Sequence, residues 1–349
     1  MIKPQSILIV RTDRIGDVVL SLPLAGIIKS EYPNCKVTFL VREYTKDLVL
    51  NHPQIDDVII LKEKYGGILL SENLEKIKKR NFDTCIAVHP KFKIALILYL
   101  AKIKNRIGTG YRWYSFLFNK KYFEHRKHGT KHELEHNVNL LQKIGIDKKI
   151  STDEVKFDIF IDEKSDQKIE QFFIQNGINI NLPTFIVHPG SGGSAVDYPI
   201  SRLKALLSIM AHELSINIIL TGSESEKKLC DMLTINENIK NAAGKFNLLE
   251  LTALIDKSDA MIANSTGPIH IAAALDKYVI GFYPKIPACN ETRWGPFTKK
   301  KRIFEPTIGC ENCTRKQCED LNCMNSIDEK NVFESVKEVV QKIVKKSIH

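Results

Sequence analysis

The chain has 349 residues, of which 43% are hydrophobic and 26% are charged, and its formal net charge is +10. These values exclude a disordered or fibrous protein and predict a globular one with room for two domains. The apolar run at the N-terminus ends at Arg11, and the longest apolar stretch, residues 94–101, is far shorter than a bilayer span. We therefore expect no signal peptide, no transmembrane helix and a cytoplasmic location, where the eight cysteines are thiols or metal ligands rather than disulfides.

The positive charge has local concentrations at residues 120–131 and 299–302. The one basic and aromatic stretch, residues 111–136, matches no nucleic-acid-binding module, so no nucleic-acid partner is expected. An acidic acceptor or an anionic membrane surface fits the charge, and we expect peripheral contact with the inner membrane surface. The alternative is that the excess consists of solvated lysines with no partner, and we expect these to account for most of it.

The first thirty residues predict a strand, a glycine turn and a helix. Residues 7–10 form an unbroken apolar run, typical of a buried parallel strand, and from Val18 onward apolar residues recur at helical spacing. The turn between them contains Gly16 and Asp17. In a doubly wound α/β sheet, ligands bind where a strand ends at its carboxyl side. Asp17 can cap the helix there, or it can act as a general base beside a bound substrate.

The rest of the first half alternates strands with helices. Strands are predicted at residues 36–41, 56–62 and 83–90, with helical segments between them. This alternation with short connections predicts a parallel sheet that is covered by helices on both faces.

Residues 132–136 read His-Glu-Leu-Glu-His and match the HExxH signature of zinc proteases. Zinc helices of that kind are largely apolar, whereas His132, Glu133 and His136 have charged neighbours and no obvious third ligand follows. We therefore interpret this stretch as the exposed N-terminus of an ordinary helix. A zinc hydrolase built on these three residues is the least favoured alternative.

The second half repeats the pattern of strand, small-residue loop and helix. A strand at residues 184–187 precedes a glycine-serine loop at 188–194, and a strand at 260–263 precedes the turn 265–267 and a helix that starts near Pro268. Backbone N–H groups in such loops can approach a phosphate closely, and the helix dipole assists. Both loops are therefore candidate diphosphate sites.

Between these loops the sequence predicts a strand that starts near Ile216 and a turn rich in serine and glutamate that reaches Glu226. Asn247 and Glu250 then have the spacing of a capping box and predict a helix that starts at Leu248.

These motifs resemble those of one family. The opening RTDRIGDVVLSLPL, residues 11–24, is similar to the start of glycosyltransferase family 9, the heptosyltransferases. HPGSG at residues 188–192 resembles the nucleotide-side loop of the family, and STGPIHIAAAL at 265–275 resembles its second specific motif. The likeness covers nearly the whole chain. It implies an α/β protein of GT-B architecture, with two Rossmann-like domains whose parallel sheets face each other across a cleft.

The resemblance also implies roles for individual residues. Asp17 would be the catalytic base, and Asp13 would be structural. The donor-binding residues would be Gly190, Ser191, Gly192, Ser194, Glu226, Lys245, Phe246, Leu248, Ser265, Thr266, Gly267 and His270. For Lys245, Phe246 and Leu248, ordinary packing at the start of a helix is an equal alternative. The acceptor would be bound by Arg14, Gly16, Lys131 and His132.

Two positions depart from the family pattern. Val196 stands where the family commonly has a lysine near the diphosphate, and Ser265 stands where it has an aspartate. Lys204 is a candidate for the missing positive charge at Val196; otherwise the donor is held differently. Ser265 keeps a side-chain oxygen that can cap the following helix.

Four cysteines near the C-terminus, Cys310, Cys313, Cys318 and Cys323, have the spacing C-x2-C-x4-C-x4-C. This spacing suits a small structural zinc or iron site and suits plain thiols equally well. The predicted domains are an acceptor-side domain at 1–178 and a nucleotide-sugar-binding domain at 179–325. Residues 326–349 are predicted to form a helix that packs back toward the N-terminal domain.

Taken together, the resemblance implies an inverting transferase that moves heptose from ADP-heptose to a lipid A/Kdo-type inner-core acceptor of lipopolysaccharide, with no required cofactor. One alternative is a transferase of the same family that uses another nucleotide sugar or a protein acceptor. Another is a non-catalytic sugar-nucleotide-binding protein, which the departures at Val196 and Ser265 would fit.

Overall fold

The computed structural model describes residues 3–309 and 313–347 and contains two units, each built on one parallel sheet. The first unit comprises Met1–Arg126 and Glu133–Phe160, and the second comprises Lys127–His132 and Ile161–His349. The second unit therefore begins earlier than the boundary predicted after residue 178. The reason is that the charged helix at Glu163–Gln175 packs against the helix at Leu248–Asp256 of the second unit.

The first unit contains a six-stranded parallel sheet and a separate two-stranded hairpin. Its strands are β1 (Ser6–Val10), β2 (Lys36–Val41), β3 (Asp57–Ile60), β4 (Glu63–Lys64), β5 (Gly67–Ile68), β6 (Thr84–Ala87), β7 (Asn105–Thr109) and β8 (Lys120–Tyr122). The sheet order is β3-β2-β1-β6-β7-β8, and β4 pairs with β5. Without the hairpin this is the order 3-2-1-4-5-6 of dinucleotide-binding folds, so the topological switch point lies between β1 and β6.

The second unit has the same strand order. Its strands are β9 (Thr184–His188), β10 (Asn217–Leu220), β11 (Ile239–Asn241), β12 (Ala260–Asn264), β13 (Tyr278–Phe282) and β14 (Lys301–Phe304). They are parallel and lie in the order β11-β10-β9-β12-β13-β14. The switch point is between β9 and β12, whose side chains are buried along their whole length because helices cover both faces.

Helices follow the strands in both units. They are α1 (Ile15–Val19), α2 (Pro23–Glu31), α3 (Leu70–Lys78), α4 (Phe92–Leu100), α5 (Glu133–Asn139), α6 (Glu163–Gln175), α7 (Ile200–Glu213), α8 (Lys227–Leu233), α9 (Leu248–Asp256), α10 (Gly267–Ala274), α11 (Glu291–Trp294), α12 (Arg315–Asp320) and α13 (Glu329–Ser347). The single helix predicted after β1 is divided into α1 and α2, since Pro23 is suited to starting a new helix. Within the described ranges, no helix has the length and apolar character that membrane crossing requires.

The C-terminal helix α13 differs from its prediction. Its apolar residues recur at helical spacing and form one stripe, which includes Val332, Val336 and Val339. This stripe is buried in the core of the second unit, where α13 packs on α7. The sequence predicted packing toward the N-terminal domain instead.

Candidate active site

Asp17 lies on α1, just after the carboxyl end of β1, at the switch point of the first sheet. One carboxylate oxygen accepts a hydrogen bond from Nη2 of Arg11. The other accepts the backbone N–H of Arg14 at 3.3 Å and closes a capping box. The side chain is 13% exposed, so a substrate can reach it. Asp17 therefore caps the helix and also stands where a general base would be placed.

Arg11 is fully buried and connects Asp17 to α5. Its guanidinium lies 3.4 Å from Oε1 of Glu133 and 3.4 Å from Oδ1 of Asn137, which are one helical turn apart. Arg126 donates to the same two oxygens. Nδ2 of Asn137 donates to the backbone oxygen of Leu20 at 2.9 Å and fastens α5 to the end of α1.

Burial and charge set the protonation of this cluster. Burial raises the pKa of Asp17, and the negative charges of Asp13 and Glu133 raise it further, whereas Arg11 opposes the shift. Burial alone would lower the pKa of Arg11, but Asp17, Asp13 and Glu133 outweigh it, so the guanidinium stays charged. A carboxylate with a raised pKa is a stronger base once it is ionised. The arrangement therefore suits proton abstraction from a hydroxyl.

The structure excludes a zinc hydrolase built on His132, Glu133 and His136. Glu133 is buried between Arg11 and Arg126, and Nδ1 of His136 lies 2.7 Å from Oε2 of Glu124. Across residues 3–309 and 313–347, no group of three or more His, Cys, Asp or Glu side chains could hold a metal ion. The prediction of an exposed helix N-terminus is also wrong, because all three side chains are buried. The two arginines account for this burial, since they neutralise the carboxylate of Glu133.

The predicted acceptor residues divide between the two units. Arg14 is exposed and Gly16 is buried, both beside Asp17 in the first unit. Lys131 and His132 belong to the second unit, where Nε2 of His132 lies 2.8 Å from the backbone oxygen of Gly295. That contact gives His132 a packing role, and acceptor binding by these residues stays a prediction.

The glycine-serine loop follows β9 at the switch point of the second sheet. A side chain at Gly190 would collide with the carboxylate of Glu226. Gly192 and Gly193 have φ values of +56° and +75°, a left-handed conformation that glycine adopts without strain. Oε2 of Glu226 in turn accepts the backbone N–H of Ser223 at 2.8 Å. Two predicted donor positions, Gly190 and Glu226, are thus in direct contact.

The loops after β9 and β12 are joined by hydrogen bonds. Oγ of Ser194 lies 2.7 Å from the backbone oxygens of both Ser191 and Ser265. Nδ2 of Asn264, the last residue of β12, donates to the backbone oxygen of Pro189 at 2.5 Å. Sequence reasoning did not identify Asn264, because an asparagine at the end of a strand is an ordinary turn residue. These bonds hold the predicted donor residues Ser191, Ser194 and Ser265 in one cluster.

Helix α10 begins from this cluster. Thr266 is the N-cap rather than Ser265, and the described structure shows no side-chain capping bond at this end. The first N–H groups of α10, starting at Gly267, are therefore available to an anion. His270 is buried one turn into the helix, and Nδ1 has no hydrogen-bond partner among the described residues. Burial lowers the pKa of His270 to about 3, so its imidazole is neutral at physiological pH.

The region predicted to meet the nucleotide base is used for packing. The ring of Phe246 meets the ring of Phe172 on α6 edge-on, with centroids 5.1 Å apart. Nζ of Lys245 lies over the same Phe172 ring at 5.4 Å. The predicted capping box is confirmed, since Oδ1 of Asn247 accepts the backbone N–H of Glu250. A donor role for Lys245, Phe246 and the half-buried Leu248 stays a prediction.

A cation that sequence reasoning missed contacts the glycine-serine loop. Nη1 of Arg315 donates to the backbone oxygen of Gly193 at 2.9 Å, and Nη2 donates to that of Ala195 at 3.2 Å. Arg315 is thereby fixed next to Val196, where the family commonly has lysine. Lys204 is exposed on α7. Arg315 was overlooked because it lies inside the cysteine-rich segment.

The predicted metal ligands at the C-terminus are seen only in part. Cys310 lies outside the described residues. Cys313, Cys318 and Cys323 are buried in the core of the second unit, and in the described ranges they form no metal-binding group of three. A structural zinc or iron that includes Cys310 stays a prediction.

Two units, each with a parallel sheet of this order and candidate ligand loops at its switch point, form an α/β protein with the GT-B fold. Residues 72–324 match the family model of "Glycosyltransferase family 9 (heptosyltransferase)", and the chain belongs to that family. It is 28% identical to a Haemophilus influenzae protein named "Putative glycosyltransferase", over 94% of this chain and 96% of that protein.

Two further similarities agree with this assignment. The chain is 28% identical to the lipopolysaccharide core heptosyltransferase OpsX of Haemophilus influenzae, over 80% of this chain and 79% of that protein. Its fold matches that of Escherichia coli ADP-heptose lps heptosyltransferase II with a TM-score of 0.77 at 18% identity, over 97% of this chain and 99% of that one. The protein is therefore an enzyme, a glycosyltransferase.

Proposed function

We propose that this glycosyltransferase moves heptose from ADP-heptose to a hydroxyl of a lipid A/Kdo-type inner-core acceptor of lipopolysaccharide, with inversion at the anomeric carbon. Support for the substrates comes from family membership and from the names of the related proteins, which include a lipopolysaccharide core heptosyltransferase and an ADP-heptose-dependent one. The proposed reaction needs no cofactor.

The observation that carries the mechanism is the environment of Asp17. Its carboxylate is held by Arg11 and by the backbone of Arg14, and its pKa is raised by burial. In the proposed reaction Asp17 removes the proton of the acceptor hydroxyl, whose oxygen attacks the anomeric carbon in line with the departing diphosphate. In this mechanism Arg11 does not stabilise either substrate directly. It fixes the orientation of the base.

The leaving ADP is the second requirement. It carries additional negative charge as the glycosidic bond breaks, and preorganised donors lower the barrier to that step. The residues assigned to this task are Gly190, Ser191, Gly192, Ser194, Glu226, Ser265, Thr266, Gly267 and His270. We add Arg315, because its guanidinium is fixed on the loop that includes Gly193.

Replacement of Asp17 by asparagine tests the base. Asp17→Asn keeps an oxygen that can accept from Arg11 but removes the proton acceptor, so turnover should fall about 10²–10⁴-fold while donor affinity is retained. Asp13→Asn is the comparison, since Asp13 also faces Arg11 but transfers no proton in this mechanism. Its charge raises the pKa of Asp17, so turnover should change, but far less than in Asp17→Asn. Equal turnover by Asp17→Asn and the parent enzyme would rule out the assignment.

Calorimetric titration with ADP-heptose tests the donor, with a UDP-sugar and a GDP-sugar as controls. Selective binding of ADP-heptose is expected. Selective binding of another nucleotide sugar would leave the Asp17 mechanism in place and contradict the heptose donor. Binding without any transfer to core acceptors would favour the non-catalytic alternative.

A further inference from the structure

The positive charge of the chain is concentrated in one segment. Residues 84–123 contain no aspartate or glutamate and eight basic residues, namely Lys91, Lys93, Lys102, Lys104, Arg106, Arg112, Lys120 and Lys121. These eight charges account for all but two of the formal net charge of +10. General enrichment in lysine would spread the excess along the chain, so this segment needs its own explanation.

Large aromatic side chains are exposed in the same segment. Trp113, Phe116 and Phe123 are 72%, 65% and 63% exposed, and Phe92 and Tyr111 are also exposed. We call these five residues the aromatic patch. Isolated exposed apolar residues are ordinary on a protein surface, but six exposed aromatic ones, these five and Tyr99, from a stretch of 32 residues are not.

Ring contacts join four of the five residues of the aromatic patch in two pairs and leave them open to solvent. Phe92 and Trp113 stack with centroids 4.8 Å apart, and Tyr111 meets Phe123 edge-on at 5.6 Å. The hydroxyl of the buried Tyr114 donates to the backbone oxygen of Pro90 and ties the Trp113 segment to the start of α4. The patch is therefore a built surface and not a set of loose side chains.

The position of the patch relates it to the active site. Most of it follows the carboxyl ends of β6, β7 and β8, as Asp17 follows β1. All these strands are parallel, so the patch and Asp17 lie at the same end of the first sheet, where its strands have their carboxyl ends. Neighbouring strands are about 4.8 Å apart, which places these strand ends roughly 5–15 Å from the end of β1. Lys91, Lys93 and Arg112 alternate with the aromatic residues and are exposed.

Exposed aromatic rings interleaved with lysine and arginine are the composition that binds the interface of an anionic bilayer. We propose that the aromatic patch, with Lys91, Lys93 and Arg112, docks the first unit onto an anionic phospholipid membrane. Docking turns the end of the sheet that carries Asp17 toward the membrane, where a lipid-anchored acceptor is presented. This inference deepens the proposed function and rests on it for the acceptor, but membrane binding can be measured without any transfer.

Co-sedimentation with vesicles tests the proposal. The full chain is mixed with vesicles of phosphatidylcholine alone or with about 30 mol% phosphatidylglycerol, without donor or acceptor. Binding is expected only to the anionic vesicles and should weaken with salt. Trp113→Ser/Phe116→Ser should reduce the bound fraction at least about fivefold, and Lys91→Gln/Lys93→Gln/Arg112→Gln should do the same. Thermal unfolding curves establish that each variant is folded.

Matched controls make the result specific. Tyr65→Ser removes an aromatic residue that is 98% exposed elsewhere in the first unit, and Lys78→Gln/Lys148→Gln/Lys149→Gln removes three exposed charges. Both controls should bind vesicles like the parent protein. Absence of vesicle binding, or equal loss in the control variants, would overturn the proposal. The proposal would also be overturned if the patch variants bound vesicles normally and only raised the KM for a soluble, delipidated core oligosaccharide. The aromatic rings would then stack on sugars.

Because no substrate is present, the vesicle result is independent of the proposed function. Failure of heptose transfer with intact vesicle binding would contradict the proposed function alone. Intact transfer to a soluble acceptor without vesicle binding would contradict the docking surface alone.

Discussion

Arg11 and Glu133 are 122 residues apart in the sequence, yet Nη1 of the arginine lies 3.4 Å from Oε1 of the glutamate. Both side chains are buried, and Arg11 also binds Asp17. Glu133 and Asp17 therefore share one guanidinium, and the charge of Glu133 bears on the basicity of Asp17.

Replacement of Glu133 by glutamine should change the pH dependence of the enzyme. The negative charge of Glu133 raises the pKa of Asp17, so removing it lowers that pKa and leaves Arg11 to bind Asp17 more fully. Asp17 must be ionised to act, so the fall of kcat/KM in acid should begin at a lower pH in this variant, and its maximum should be lower because the base is weaker. The measurement is kcat/KM against pH. Glu135→Gln, on the same helix, should leave the limb in place, and an unchanged limb in Glu133→Gln would contradict the coupling.

Replacement of Gly190 by alanine should impair donor binding. The added methyl group would collide with the carboxylate of Glu226 and displace either that carboxylate or the loop. We expect ADP-heptose affinity to fall at least about tenfold by calorimetry, a loss of about 1.4 kcal/mol. Gly309→Ala is the control, because a side chain at Gly309 meets nothing within 4 Å. Wild-type affinity in Gly190→Ala would show that the contact with Glu226 is dispensable.

Arg315 offers a test of the missing lysine. Arg315→Gln removes the positive charge beside the glycine-serine loop and should weaken ADP-heptose binding about tenfold. Arg302→Gln serves as the comparison, since Arg302 pairs with the exposed Glu338 on α13. If the Arg315→Gln variant bound ADP-heptose as tightly as the Arg302→Gln variant, another cation would have to serve the diphosphate.

The buried His270 should make the protein less stable in acid. Its pKa is lowered to about 3 by burial, whereas an unfolded histidine titrates near 6.5. Below about pH 6.5 the unfolded state binds a proton that the folded state does not, so the free energy of unfolding falls as pH falls. The slope from this group is about 1.4 kcal/mol per pH unit.

Urea unfolding at pH 7.5 and pH 5.5 measures that slope. The free energy of unfolding should fall less between the two pH values in His270→Gln than in the parent protein. The difference should be about 1.4 kcal/mol, which corresponds to the uptake of one proton by the unfolded state over about one pH unit. The buried His188, whose pKa is also lowered by burial, is present in both proteins, so its contribution to the pH dependence cancels in the comparison. Identical pH dependence in the two proteins would mean that the pKa of His270 is the same in the folded and unfolded states.

Local patterns predicted the sheets well. The apolar run of β1 and the residues of β2 were predicted almost to the residue, because a strand buried on both faces leaves an unbroken apolar signature. The capping box at Asn247 was also predicted, since it depends on residues three apart. The strands β7 and β8 were missed because they are short and contain polar and basic residues instead of an unbroken apolar run, and both lie toward one edge of the sheet.

Long-range contacts could not be predicted. The sequence marks Asp17 as a candidate base, but nothing local indicates that Arg11 joins it to Glu133, or that the HELEH stretch is buried by two arginines. Arg315 likewise contacts Gly193, 122 residues earlier in the chain. Such pairs depend on how distant elements pack, and a single sequence carries no periodic signal for them.

The shared strand order of the two units has a consequence for how such enzymes diversify. In each unit, the candidate ligand-binding loops near the switch point follow the carboxyl ends of the strands, and the six strands of the sheet need only remain apolar. Substitutions after β9 and β12, such as those at Val196 and Ser265, can therefore alter the preference for one substrate without disturbing the loops that follow β1 and β6. If donor and acceptor bind to separate units, as the proposed function requires, their preferences can evolve separately, and exchanging one unit between related enzymes should transfer one preference without the other.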